Sequence, residues 1–150
     1  STGYLGGMAL SGVAGLWESG LGGGLATANI VLGGTRDIDR AEQLLIDAGT
    51  VRLVRGGKNL LDDLADAIGD SPVYLHLDCD VLEPGIVPTD YHVPHGLDLE
   101  DLHGVAEVLA RNTMVGVEIG EFEATWQDGG EPFSPDATLD ALMPIIPGCR

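Results

Sequence analysis

A chain of 150 residues with 44% hydrophobic side chains is long enough for one domain with a buried core and far from disordered composition. Its 24 acidic and 7 basic residues give a net charge of −17, a surface that repels phosphate backbones and so argues against nucleic acid as a partner. No apolar run reaches the length of about 18 residues that a membrane-spanning helix needs, so no membrane contact is expected.

Glycine occurs 23 times, clustered in Leu5-Gly6-Gly7 and Leu21-Gly22-Gly23-Gly24, where apolar surroundings point to tight turns. Asn29 to Leu32 has the composition of a strand, and Asp37 to Ala48 follows with helical spacing, Ile38, Ala41, Leu44, Leu45 and Ala48 sharing a face that Gly49 closes. Val51 to Val54 is a second strand, and Asn59 to Ile68 a second helix with Leu60, Leu61, Leu64 and Ile68 inward. Pro72 to Asp78 is the strongest strand. It runs into a proline-rich loop, Pro84 to Pro94, long enough to be a binding loop. Leu97 to Arg111 is a helix with Asp98 as N-cap, Met114 to Ile119 a strand, and Thr138 to Ile145 the last helix. Strand and helix alternate throughout, which predicts an α/β fold: three αβα layers around a mainly parallel sheet.

Cys79 and Cys149 can make one pair at most, and neither lies in a spaced thiol motif, so Cys79 is expected to be a free buried thiol. The start at Ser1 lacks an initiator methionine and the basic region of a signal peptide, which suggests removal of an upstream segment and a cytoplasmic location. The acidic surface can steer a cationic substrate, though solubility alone would account for it. Gly22-Gly23-Gly24 lacks the Lys-Ser/Thr of a phosphate-binding loop.

Residues two apart in a strand point the same way, so His76, Asp78 and Asp80 share a face as long as the extended conformation continues to Asp80. At roughly 7 Å per same-face step, two carboxylates there can flank cations at the end of a parallel strand, the usual place for sites in such sheets. Asp-x-Asp is also what a solvent-facing or capping pair looks like, and His76 by itself is best read as a partly buried histidine bonded to backbone.

The residues around this pair carry more information. His76-Leu77-Asp78-Cys79-Asp80-Val81-Leu82-Glu83-Pro84, then Pro88 and Gly96-Leu97, resembles the ureohydrolase (arginase and agmatinase) signature Ser-Phe-Asp-x-Asp-x-Leu-Asp-Pro followed by a Pro-rich loop and Gly-Gly-Leu. His76 stands for the family serine, Glu83 for the following Asp and His95 for the first glycine. The resemblance implies that Asp78 and Asp80 bridge two Mn²⁺ ions, for which hard oxygen ligands are suited. Gly34-Thr35-Arg36-Asp37-Ile38-Asp39-Arg40-Ala41-Glu42 resembles an arginase segment that places Asp39 and Glu42 near the substrate amino group, although acidic residues also suit a helix N-terminus with no substrate. Val115-Gly116-Val117-Glu118-Ile119 resembles the strand whose Glu binds guanidinium; Glu118, among Val and Ile, would need a cation, either substrate or an arginine such as Arg111. Ser1 to Met8 resembles Thr-Ser-Gly-Asn-x-His-Gly-Met, so that Thr2 takes the place of a carboxylate-binding Ser, Tyr4 of Asn and Gly6 of the proton-shuttle histidine. His92 or His95 in the loop would then have to supply the proton.

The resemblance covers nearly the whole chain and implies that residues 1–150 are the C-terminal portion of an arginase-like domain, hydrolysing a guanidinium C–N bond of arginine or a related compound with release of urea. Asp78 and Glu118, with His92, would be catalytic, and a homotrimer or hexamer is implied as well. The family's Gly-Gly-Asp-His and Asp-Ala-His-x-Asp segments, which supply its other metal ligands, do not occur in these residues. Two carboxylates cannot complete two metal shells, so either an N-terminal segment adds the rest, or the chain is an inactive fragment or a non-catalytic arginase-like binding protein.

Overall fold

The computed structural model describes residues 8–20, 22–126 and 132–146; Thr2, Tyr4 and Gly6 lie outside them. By internal contacts the chain divides into two compact units, Ser1–Leu32 with Asp37–Leu53, and Gly33–Arg36 with Val54–Arg150.

In the first unit, helix α1 (Ala9–Val13) was not anticipated from the sequence. Trp17 explains it: its indole N–H donates to the Met8 carbonyl and Ser11 hydroxyl, both at 3.1 Å, and a Cβ at Gly12 would stand 3.2 Å from its ring. Strand β1 (Val31–Gly33) pairs with β2 (Arg52–Val54), and helix α2 (Arg40–Asp47) lies between them in sequence. The Arg52 N–H donates to the Ile30 carbonyl (3.1 Å) and the Gly34 N–H to the Val54 carbonyl (2.9 Å), the slanted pattern of a parallel pair. Helix α2 starts three residues later than its apolar period suggests because Asp39 caps it. Its apolar stripe is not buried, Leu44 being 63% exposed. Periodicity places the stripe, but only a covering layer buries it.

The second unit holds the main core. Helix α3 (Leu60–Ile68) buries Leu60 and Leu64, while Leu61 is partly exposed and rests against Gly104, where a Cβ would come within 2.8 Å of it. Strand β3 (Val73–Asp78) pairs in parallel with β4 (Met114–Gly120), with His76 opposite Glu118 and Asp78 opposite Gly120. Helix α4 (Leu99–Leu109) links the layers, packing on α3 and on α5 (Asp136–Leu142). Its start is fixed by a reciprocal capping box between Asp98 and Asp101. Helix α5 gives way to a 3-10 turn, Met143–Ile145, where Pro144 has no N–H to continue an α-helix. Leu102, Ala106 and Leu142 are essentially inaccessible; cutting Leu102 to alanine would cost about 2–5 kcal/mol.

Candidate active site

The site is built where β3 stops. The backbone is extended only to Asp78; Cys79–Val81 is a 3-10 turn, so the alternation that would place Asp80 on the face of His76 and Asp78 is broken. The Asp78 carboxylate makes this turn possible, its Oδ1 accepting the Asp80 N–H at 2.9 Å as a cap. Turning the chain here draws Asp80 inward. Its Oδ1 is buried and has no hydrogen-bond partner. Burial first, then the Asp78 charge and more weakly Glu121 push the Asp80 carboxyl above its ordinary 3.8; the Thr89 hydroxyl and Arg36 guanidinium act against this without offsetting it. Cys79 is a free thiol, 1% exposed, pushed up to about 11 by burial and by Asp78, Asp80 and Glu121 in that order. It is a packing residue, not a nucleophile.

The proline-rich loop is closed at its neck. The Leu97 N–H donates to the Val81 carbonyl and the Glu83 N–H to the Leu97 carbonyl, both at 2.9 Å, and the Glu83 carboxylate accepts the Gly96 N–H at 2.6 Å. Glu83-Pro84-Gly85-Ile86 makes a turn with Gly85 at φ +95°, a value glycine adopts readily. His95, which stands where the family signature has glycine, is held at φ +71°; left-handed backbone of this kind costs about 1 kcal/mol or more in a residue with a side chain. Inside the loop Thr89 is buried and bonds Tyr91 through both main-chain groups (3.0 and 3.2 Å).

The structure separates residues that the sequence grouped. Glu118 is not a buried anchor among Val and Ile: its side chain is 56% exposed, two register positions back from Asp78, and its partners are His76 Nδ1 at 3.1 Å and the Tyr74 hydroxyl at 3.5 Å rather than Arg111. His76 in turn is exposed and bonded to Glu118, not to backbone. Glu121, just past the end of β4, follows the β4 residue paired with Asp78, has φ +51°, and is the carboxylate there whose field reaches Asp80 and Cys79. A positive φ cannot be read from composition, so nothing distinguished it from Glu118. His92 is exposed in the loop. Asp39 and Glu42 are joined in a capping box at the start of α2, the Asp39 Oδ1 accepting from Ala41 (2.6 Å) and Glu42 (2.8 Å) while Glu42 Oε2 accepts the Asp39 N–H (2.9 Å).

The donor set suits a hard cation in part. Two carboxylates converge on the turn, one oxygen is buried without a donor, and a divalent ion would supply the missing positive charge. Among the described residues, however, no group of three or more His, Cys, Asp or Glu side chains is placed to hold a metal ion.

Comparison with known proteins defines the class of fold and then the family. An arginase from Entamoeba histolytica, solved with L-ornithine, superposes with a TM-score of 0.75 at 22% identity, over 93% of this chain and 51% of its own. A Bacillus cereus arginase gives 0.74 at 22% identity, over 92% and 53%. The architecture is therefore the expected one, part of an arginase-like αβα fold with parallel strands. In sequence the chain is 46% identical over 145 residues to an N(omega)-hydroxy-L-arginine amidinohydrolase of Streptomyces lavendulae, matching 97% of this chain and 53% of that protein. Residues 7–133 match the model of the arginase family, and the chain belongs to that family. It spans about half the length of the relatives it matches.

Proposed function

We propose that this chain is the C-terminal portion of an arginase-like domain that hydrolyses a guanidino C–N bond with manganese, releasing urea or a substituted urea. The observation that carries the reading is the buried, unpartnered Asp80 Oδ1 beside Asp78, inside the family's Asp-x-Asp signature. Asp78 and Asp80 would hold the two ions together with ligands not found among these residues. The ions would supply a water activated to hydroxide near neutral pH, able to attack the guanidinium carbon.

The chain's own groups complete the chemistry. Asp78 orients the nucleophile, and a carboxylate of β4 or its end holds the guanidinium. The family likeness assigns that anchor to Glu118, but Glu121 lies at the same strand end as Asp80, and we favour it. By the family resemblance, Asp39 and Glu42 would serve the amino end of the substrate, Thr2 its carboxylate end, and His92 the return of the proton to the leaving amine. The name of the Streptomyces lavendulae relative favours a substrate of the arginine or Nω-hydroxyarginine type. We further propose a homo-oligomer, a trimer or hexamer, in the cytoplasm; no helix of the described residues is long and apolar enough to cross a membrane.

Titrating the full-length protein with Mn²⁺ and assaying urea or hydroxyurea release from arginine, Nω-hydroxyarginine, agmatine and 4-guanidinobutyrate tests the proposal. Two tightly bound ions and turnover are expected. A folded full-length protein that takes up no manganese would instead support a non-catalytic arginase-like binding protein.

A further inference from the structure

Arg36 belongs to the Gly34-to-Glu42 segment, yet neither the sequence pattern nor the proposed chemistry gives it a task. Its geometry does. One guanidinium nitrogen, Nη1, donates to the carbonyls of Val81 (2.9 Å) and Leu82 (3.4 Å); the other, Nη2, donates to those of Asp80 and Leu82 (3.3 Å). Three successive carbonyls at the end of the Cys79–Val81 turn thus converge on one planar cation. These are the acceptors that a helical turn leaves without partners at its C-terminal end, where positive charge is also favoured. The guanidinium lies 5.2 Å from the ring centroid of Tyr91 in the proline-rich loop, within range of a cation–π contact.

The surroundings are shaped for this placement. A Cβ on Gly96 would run into Arg36 Nη1 and the Leu82 carbonyl, so the loop returns past Arg36 only with glycine there. Gly34, at φ +72°, brings the chain against Leu97, where a Cβ would stand 3.1 Å from Leu97 Cδ1. Arg36 Nε is buried without a partner, so the arrangement is kept despite an unsatisfied donor. The forks are directed at main-chain oxygens, and the Asp80 Oδ1 on the same turn is left open.

We propose that Arg36 is a positioning residue of the carboxylate pair: by gripping the carbonyls of residues 80 to 82 it locks the turn that aims Asp78 and Asp80, without touching metal or substrate. The proposal rests on reading those two residues as manganese ligands. Lysine keeps the charge but lacks the planar fork, so it cannot grip three carbonyls at once.

Cys79 provides a readout that needs neither metal nor turnover, because it lies buried inside the turn. In the full-length protein carrying Cys149→Ser, Arg36→Lys should raise the rate at which an aromatic disulfide reagent labels Cys79 at least tenfold, with far-ultraviolet circular dichroism unchanged. The same variant should weaken Mn²⁺ binding, measured by calorimetry, by about 10- to 100-fold, the usual loss when a group supporting a ligand is removed. Its kcat should fall while KM for the guanidino substrate stays near the parent value. Arg111→Lys, on the exposed end of the α4 segment, should behave as parent in all three assays. Parent-like labelling and metal affinity in Arg36→Lys would overturn the proposal. Should that variant fail to fold, Arg36→Gln, which keeps a planar N–H donor but lacks the charge and the second fork, decides: faster labelling is expected, and parent-like labelling overturns the lock. A parent that takes up no manganese removes the metal-positioning role along with the proposed function, whereas parent-like labelling removes the lock alone.

Discussion

Two acidic pairs, Asp39 with Glu42 and Asp78 with Asp80, look alike in the sequence: each is a close pair of carboxylates at the edge of a secondary-structure element. In space they differ. Asp39 and Glu42 answer three backbone N–H groups between them and form a closed capping box, partly exposed to water. Asp78 also caps a turn, but that turn carries Asp80 inward, where Oδ1 meets no donor and burial, then the neighbouring carboxylates, raise its pKa. The first pair is complete as it stands. The second leaves Asp80 Oδ1 without a donor even with the Thr89 hydroxyl and the Arg36 guanidinium acting on the same carboxylate, and that asymmetry is the argument for a cation.

The largest effect should come from the open pair. Asp80→Asn should lower urea release by about a thousandfold, since Lewis-acid stabilisation is worth several kcal/mol and each 1.36 kcal/mol is tenfold in rate. Near-parent turnover would erase the distinction between the pairs. In metal-free protein the same substitution should have the opposite sign on stability. The folded-state pKa of Asp80 lies above 3.8, so the charged carboxylate destabilises the fold at neutral pH and the penalty disappears below 3.8. Melting temperature at pH 7 should therefore rise in Asp80→Asn, with the gain shrinking as pH falls through the raised pKa. An equal gain at pH 7 and pH 4 would mean that charge is not its source.

The carboxylates in and just after β4, Glu118 and Glu121, allow a smaller test. If Glu121 anchors the guanidinium, Glu121→Gln should raise KM by about 10- to 100-fold, the value of one charge-assisted hydrogen bond. Glu118→Gln, which weakens only exposed contacts with His76 and Tyr74, should leave KM within about twofold. The reverse ranking would restore the assignment suggested by the sequence and remove Glu121 from the site.

Much of this was legible in advance because local patterns carry it. The period-two run ending at Asp78, the glycine after α2 and the cap at Asp98 each have a one-dimensional cause, and the elements fall within two or three residues of their expected limits. What was not legible depends on angles and on neighbours distant in sequence. The 3-10 turn at Cys79 is made by the Asp78 carboxylate, which could equally have faced solvent. The role of Arg36 arises from carbonyls more than forty residues away, and the exposure of Glu118 from its register with His76. Helix α1 depends on Trp17 reaching back nine residues, which no apolar period records.

The closed pair gives the smallest and most discriminating measurement. Asp39→Ala removes the acceptor for two N–H groups at the start of α2, so stability should drop by about 1 kcal/mol, or about 2–4 °C in melting temperature for a protein of this size or somewhat larger. That loss follows from the cap alone and should appear with or without substrate. If the pair also faces the substrate amino group, KM should rise for arginine but not for 4-guanidinobutyrate, which has no amino group to contact. A stability loss with the same KM for both compounds would reduce Asp39 and Glu42 to a helix start. The carboxylates that matter would then all lie at the ends of β3 and β4, where one oxygen still lacks a partner.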